Sequence, residues 1–329
     1  MRIAIYGAGA VGGYFGGRLA QAGDDVVFLA RGDHLRAIRE HGLQVTSIAG
    51  DFTIRPAQAT DRPDDIGPVD AVLVSVKAWQ VPDAALAMRP LVGPDTFVVP
   101  LENGVEAPEQ LADVLGAEHV LGGLCRIISQ MTAPGHIRHS GAEPYIAFGE
   151  LEDAGSGVMA TGRAERLREA FARTQGVHAE ISPDIRAAMW LKFLFIASMS
   201  GVGAVTRAPI GVVRGRPETR QMLEQAFEEI AAVAAALGIG LPANAVKETM
   251  TFVDTLPHDG TASMQRDIMA GRPSELETQN GAVVRLGQRT GVPVPLHTFI
   301  YRSLLPLELK ARGELSFPEP GASAGNGPD

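Results

Sequence analysis

Cysteine is almost absent from this chain: Cys125 stands alone among 329 residues. A single thiol excludes an intrachain disulfide and a paired-cysteine zinc site, and it fits a reducing compartment. The eight histidines show no H-x-x-x-H spacing, and no G-x-S-x-G elbow occurs. The reading is therefore no metal and no serine-hydrolase chemistry. Basic charge is not in excess either. A formal net charge of -9 argues against a nucleic-acid or anionic-membrane partner. Long hydrophobic runs are missing: "MRIAIY" breaks at Gly7, and the apolar stretches near 193–206 and 230–239 fall short of a membrane span. Cytoplasm is the expectation. With 45% hydrophobic and 20% charged residues, the chain can still bury a real core, and its length suits about two domains.

What is present is a rhythm. "RIAIY" (2–6), "DVVFLA" (25–30), "AVLVSV" (71–76) and "TFVVP" (96–100) are nearly continuous apolar runs, as in parallel strands covered on both faces. Helical segments fit 10–22, 33–41, 80–91 and 105–115. This alternation predicts an α/β fold with a Rossmann-type, doubly wound parallel sheet. "GHIRHS" (135–140) and "PYIAFGE" (144–150) read as an added hairpin. Beyond about 180 the texture turns helical, with helices at 184–200, 220–238, 243–256, 260–270, 275–290 and 296–312. The expected domains are a dinucleotide-binding domain over 1–180 and a helical domain over 181–315. Residues 316–329, rich in Pro, Gly and small polar residues, read as a disordered tail. A small substrate would sit in the cleft between the domains. The long amphipathic helices are of a kind that often dimerises.

Gly7-Ala8-Gly9-Ala10-Val11-Gly12 follows the first strand and opens a helix. Gly7 suits a tight turn, Gly9 lets the backbone approach a pyrophosphate, and Gly12 permits close helix–strand packing. The helix N-terminus adds N–H groups and a positive dipole end. A site for NAD would carry an acid at the tip of the second strand, about 20 residues on. Here that strand ends in Arg31-Gly32. A guanidinium can grip a 2′-phosphate bidentately, so the reading is NADPH, the alternative being a surface arginine. Lys77 and Asn103-Gly104 end the next two strong strands, at the edge where such sheets bind ligands. Asn103 can orient a nicotinamide or a substrate oxygen, and Lys77 can serve the ribose or the substrate. A turn Asn-Gly and a solvated lysine are the plainer readings.

"AAMWLKFLFIASMSGVGA" (187–204) carries one lysine, Lys192, in an apolar run. A buried ammonium is costly unless it is paired or shifted. Lys192 either snorkels to water or serves as a proton donor. Further on, Ser274-Glu275-Leu276-Glu277 reads as an S-x-x-E capping box that mounts Glu275 at a helix start. Asp267 lies four residues after Ser263, on one helical face, where it either braces the serine or is solvated.

"GAGAVGG", "VSVKAWQVPDA" (74–84), "ENG" (102–104), "MWLKF" (189–193) and "SMQRDIMAGRPSELE" (263–277) together resemble the ketopantoate reductase family. The resemblance covers about residues 1–310. It implies a Rossmann-type domain joined to a helical domain, and NADPH-dependent 2-dehydropantoate 2-reductase activity in pantothenate biosynthesis. It also implies Lys192 as general acid, Glu275 as the site carboxylate, and Ser263 and Asn103 as further site residues. Three positions depart from the pattern. The enzymes of that pathway carry substrate-binding asparagines four and eight residues after the lysine, where this chain has Ile196 and Ser200. A third asparagine gives way near Ile210. A site that loses a hydrogen bond to a substrate hydroxyl can discriminate by a factor of about 10⁴. The expected substrate is therefore a less hydroxylated 2-keto acid or ketone. Arg207, near the altered segment, can take its carboxylate or simply face solvent. Imine reduction of the opine type, and a non-catalytic NADPH sensor, are the alternative functions.

Overall fold

Strands with alternate residues buried on opposite faces build the first sheet. β1 (Arg2–Tyr6), α1 (Ala10–Gln21), β2 (Asp25–Leu29), α2 (Gly32–His41), β3 (Leu43–Ser47), β4 (Phe52–Ile54) and β5 (Gln58–Thr60) come first. β6 (Ala71–Val74), α3 (Val81–Ala87), β7 (Phe97–Pro100) and α4 (Ala107–Leu115) follow. The sheet runs β5-β2-β1-β6-β7, with every pairing parallel. Ile3, Ile5, Phe28, Leu73 and Val99 join one core cluster, while Ala4, Tyr6, Val27, Val72 and Val98 join the other. Both faces are thus covered, which explains why these strands read as continuous apolar runs. This computed structural model describes residues 1–151 and 162–318.

A second, mixed sheet differs from the expected hairpin. Residues 136–140 and 144–149 fall in one strand, β9 (His136–Gly149), whose antiparallel partner is β8 (Gly122–Ala133). After α5 (Gly162–Ala172) comes β10 (His178–Ile181), and β9 pairs in parallel with both β3 and β10. Gly141, at φ 81°, sits inside β9 and lets it bend without ending. The apparent break in the sequence is that bend.

The chain divides into two compact units, Met1–Phe193 and Leu194–Asp329. The division falls within α6 (Ile185–Thr206) rather than ahead of it at 180/181. Asp184 caps α6, accepting the Ala187 N–H at 2.9 Å. Ile185 and Met189 then pack against Leu124 and Ala147 of the second sheet, so this helix belongs to the first unit at its start. At 22 residues α6 is long and apolar enough to cross a membrane, contrary to the sequence expectation. Its most apolar window is 67% buried within the protein, as in a core helix. The helix extends past the predicted end at 200 because Gly201 and Gly203 pack closely: a Cβ on either would strike Asn280 or Gln265.

Among the described residues of the second unit after α6, every regular element is helical. It contains α7 (Ile210–Gly215), α8 (Pro217–Ala236), α9 (Ala245–Thr255), α10 (Ser263–Met269), α11 (Ala282–Thr290) and α12 (Pro295–Ala311). Leu223, Phe227, Ile230 and Ala234 form the buried stripe of α8, at the spacing read from the sequence. The expected tail lies outside the described residues from 319 onward.

A buried carboxylate locks α8 to the start of α12. Glu229 accepts the backbone N–H groups of Leu296 (2.8 Å) and His297 (3.0 Å), and His297 Nδ1–H at 2.9 Å. Burial would raise the Glu229 carboxyl, but these donors outweigh it and hold it below the ordinary glutamate value. Its stabilisation is therefore complete above the unfolded value of about 4.3 and is lost as pH falls through the depressed folded value. Glu229→Gln should flatten that acid limb and cost about 1–3 kcal/mol at neutral pH, read by urea unfolding between pH 7 and 3.

Candidate functional site

The phosphate loop is built from the backbone outward. Gly7 takes φ 98°, and a Cβ there would lie 2.9 Å from the Ser75 carbonyl oxygen. At Gly12 a Cβ would lie 2.1 Å from Ser75 Oγ and 2.4 Å from the Gly7 oxygen. The turn therefore lies against the backbone just past β6, α1 lies against the turn and the Ser75 side chain, and the Ser75 hydroxyl seals the turn by donating to the Gly7 carbonyl at 2.7 Å. Gly9 is different. It is the N-cap of α1, with no side-chain cap, and a Cβ on it would meet nothing within 4 Å. The space before the helix N-terminus is open, and α1 has no acid in its first turn. Ala10, Val11 and Gly12 supply the first-turn N–H groups. These features fit a dinucleotide pyrophosphate.

Two supports of this loop were not visible in the sequence pattern. Ser75 is one. His34 is the other: its Nδ1 accepts the Gly135 N–H at 2.9 Å, which leaves Nε2–H to donate to the Ala8 carbonyl at 2.7 Å. A lone histidine and a lone serine carry no periodic signal; only the chain's return brings them to the loop.

Arg31 is exposed at the N-cap of α2, just beyond the tip of β2. It also faces the Tyr6 phenol, which burial pushes above its ordinary range and the guanidinium draws back. Lys77 is exposed at the end of β6, its Nζ 5.7 Å from the Trp79 ring centre. Asn103 is half-buried beyond β7, and Gly104 takes φ 121°, which needs a glycine. Beside it Glu102 Oε1 accepts the Val76 N–H at 3.1 Å, tying the two strand ends together. The residues expected at the carboxyl edge of this sheet are all there.

Lys192 is half-buried on α6, between buried Trp190 and Phe193, whose rings meet edge-on at 5.7 Å. Its ammonium also acts on β8. Burial pushes the Cys125 thiol up, Lys192 pulls it back, and Glu102 adds to the rise. Within the first unit, then, the Lys192 ammonium and the Glu102 carboxylate both act on the buried Cys125 thiol. Four and eight residues on, Ile196 is half-buried and Ser200 fully buried, its hydroxyl without a hydrogen-bond partner. Arg207 ends α6 in the left-handed region at φ 55°, exposed.

In the second unit the S-x-x-E box does not form. Ser274 is fully buried, and Glu308 accepts both its N–H (3.0 Å) and its hydroxyl (2.5 Å). Glu277 turns instead to Tyr301, at 2.6 Å, and to Arg285. A buried carboxylate thus takes the Ser274 N–H that Glu277 would accept in a local box, while Ser274 Oγ accepts the Leu276 N–H at 3.2 Å. Glu275 itself is buried, just ahead of a π-helical stretch at Glu277–Gly281. Ser263 opens α10, half-buried, while Asp267 pairs with Arg272 at 2.7 Å.

The chain matches the family models described as ketopantoate reductase PanE/ApbA, over residues 3–153, and its C-terminal part, over 184–308. A 2-dehydropantoate 2-reductase from a Nostoc species is 30% identical over 316 residues, covering 96% of this chain and 98% of that protein. Among solved structures, the 2-dehydropantoate 2-reductase of Geobacter metallireducens is 33% identical, with a TM-score of 0.84 over 93% of this chain and 99% of its own. A PanE/ApbA family ketopantoate reductase from Ralstonia eutropha is 31% identical, with a TM-score of 0.85 over 95% of this chain and all of its own.

The glycines of the loop make opposite predictions. Gly12→Ala should lower the melting temperature by several degrees, because the contact lies against backbone. Gly9→Ala should leave it unchanged yet abolish dinucleotide binding, as read by calorimetric titration.

Proposed function

Because the chain belongs to the ketopantoate reductase family of oxidoreductases, we propose that it reduces the keto group of a 2-keto acid with NADPH. A bound NADPH would supply the hydride. The Gly7–Gly12 turn and the N–H groups of Ala10, Val11 and Gly12 would hold the pyrophosphate, and Arg31 the 2′-phosphate. Lys77 and Asn103 stand at the strand ends to meet ribose and nicotinamide or substrate.

The observation that carries this reading is Lys192, a half-buried ammonium on an apolar core helix. As hydride reaches a carbonyl carbon, negative charge grows on oxygen and must be held or protonated. Lys192 Nζ serves as that proton donor. Glu275 supplies the carboxylate of the site, with Ser263 as a polar contact to substrate. Ile196, in place of a family asparagine, offers methyl groups where a hydroxyl-binding amide would stand. Ser200, if it turns towards substrate, brings only a short hydroxyl. The preferred substrate therefore lacks the hydroxymethyl group of ketopantoate.

NADPH oxidation with ketopantoate, 2-ketoisovalerate and phenylpyruvate tests this reading. The expected order places ketopantoate at least about 10-fold below the best of the others in kcat/KM, and Lys192→Ala should cost about 10²–10⁴-fold. No oxidation with any 2-keto acid would refute the activity. Separately, Arg31→Ala should raise KM for NADPH about 10-fold or more and leave KM for NADH nearly unchanged. An equal rise in both would remove the 2′-phosphate assignment.

A further inference from the structure

Glu275 does not stand alone. One helical turn later, Gln279 places its side-chain Nε2 3.1 Å from Glu275 Oε2. The backbones of the two residues are joined as well, the Gln279 N–H donating to the Glu275 carbonyl at 2.9 Å. Both side chains are out of water: Gln279 is 0% exposed and Glu275 6%. The turn then widens, with the Gly281 N–H reaching back to Leu276 at 2.9 Å, and Gln279, Asn280 and Gly281 are buried in succession. Such π turns recur at functional sites. Asn280 anchors this one, its Nδ2 donating to the Ala197 carbonyl of α6 at 3.3 Å and packing where Gly201 has no side chain.

The chemistry fixes which way the Gln279 amide faces. A carboxylate oxygen accepts and does not donate, so the NH₂ end must point to Glu275. The carbonyl end, Oε1, is then left inside the protein with no hydrogen-bond partner. A buried unsatisfied carbonyl costs about 1–3 kcal/mol, which an apolar side chain of equal size would avoid. The position therefore sacrifices stability, and what it secures is a donor on Glu275.

We infer that Gln279 is a positioning residue that holds the Glu275 carboxylate in one rotamer for the proposed reaction. The inference rests on the role proposed for Glu275. It concerns a contact within one helical turn, so it requires no movement of the backbone. Without the amide, the Glu275 carboxylate loses a buried donor that helps fix its position, and a misplacement of about 1 Å in a reacting group can cost up to about 10²-fold in rate.

Gln279→Met, similar in length but without a donor, tests it. Steady-state kinetics with 2-ketoisovalerate should show kcat/KM reduced about 10- to 100-fold, with the melting temperature and NADPH affinity held or raised. In a Glu275→Ala background the same substitution should change kcat/KM no further. Gln279→Glu should regain activity towards low pH, where its carboxyl is protonated and can donate again; this variant also decides the matter if Gln279→Met does not fold. Wild-type kcat/KM in Gln279→Met would overturn the inference. So would an equal loss with and without Glu275, or a Gln279→Glu activity that does not respond to pH. Full activity in Glu275→Ala would instead overturn the assignment beneath it.

Discussion

The cost of taking a charged group out of water governs how this protein is put together. α6 is buried along two-thirds of its most apolar window, yet it carries Lys192. An apolar helix packs without penalty; an ammonium on it must keep electrostatic company. The Cys125 thiol registers that company, since both Lys192 and Glu102 act on it. The same economy recurs at Glu229, whose four hydrogen bonds to Gln225, Leu296 and His297 keep a buried carboxylate charged, and at Glu308, which Ser274 and Arg312 surround. Glu229 fixes where α8 meets the start of α12, and Glu308 fixes the Ser274 segment against α12.

The phosphate loop obeys a steric version of the same rule. Gly7 lets the turn close on the Ser75 backbone, Gly12 lets α1 close on the turn and on the Ser75 side chain, and the Ser75 hydroxyl seals the contact. Gly9 does none of this packing, and a side chain there would meet only open space. Its value lies in what it leaves free, the helix N-terminus. This division of labour among three glycines explains why the spacing reads so clearly: each is tied to a different distance along one turn.

Much of this was legible before any coordinates. The parallel strands announced themselves because both their faces are buried, and α8 because one of its faces is. Gly7–Gly12, Arg31, Lys77 and Asn103 stand at strand ends, where sequence order alone brings them to one edge. What stayed hidden depends on contacts between residues distant in the chain. β8 has no clear signal because its first third is buried and most of the rest is exposed, so neither periodicity holds along its length. The capping box at Ser274 failed because Glu308, thirty-four residues away, claims its donors. His34 and Gln279 have no motif at all; each is defined by the groups that its side chain holds.

The central claim is that a keto group is reduced in this protein by hydride from a nicotinamide while Lys192 supplies the proton. The most direct measurement is transfer of label from [4-²H]NADPH, carrying deuterium on the transferring face, to 2-ketoisovalerate, with the product analysed by mass spectrometry and NMR. The account predicts a 2-hydroxy acid with one deuterium on C2 and a hydroxyl proton drawn from solvent. A product without deuterium at C2, or a dinucleotide that binds and never transfers its label, would contradict it.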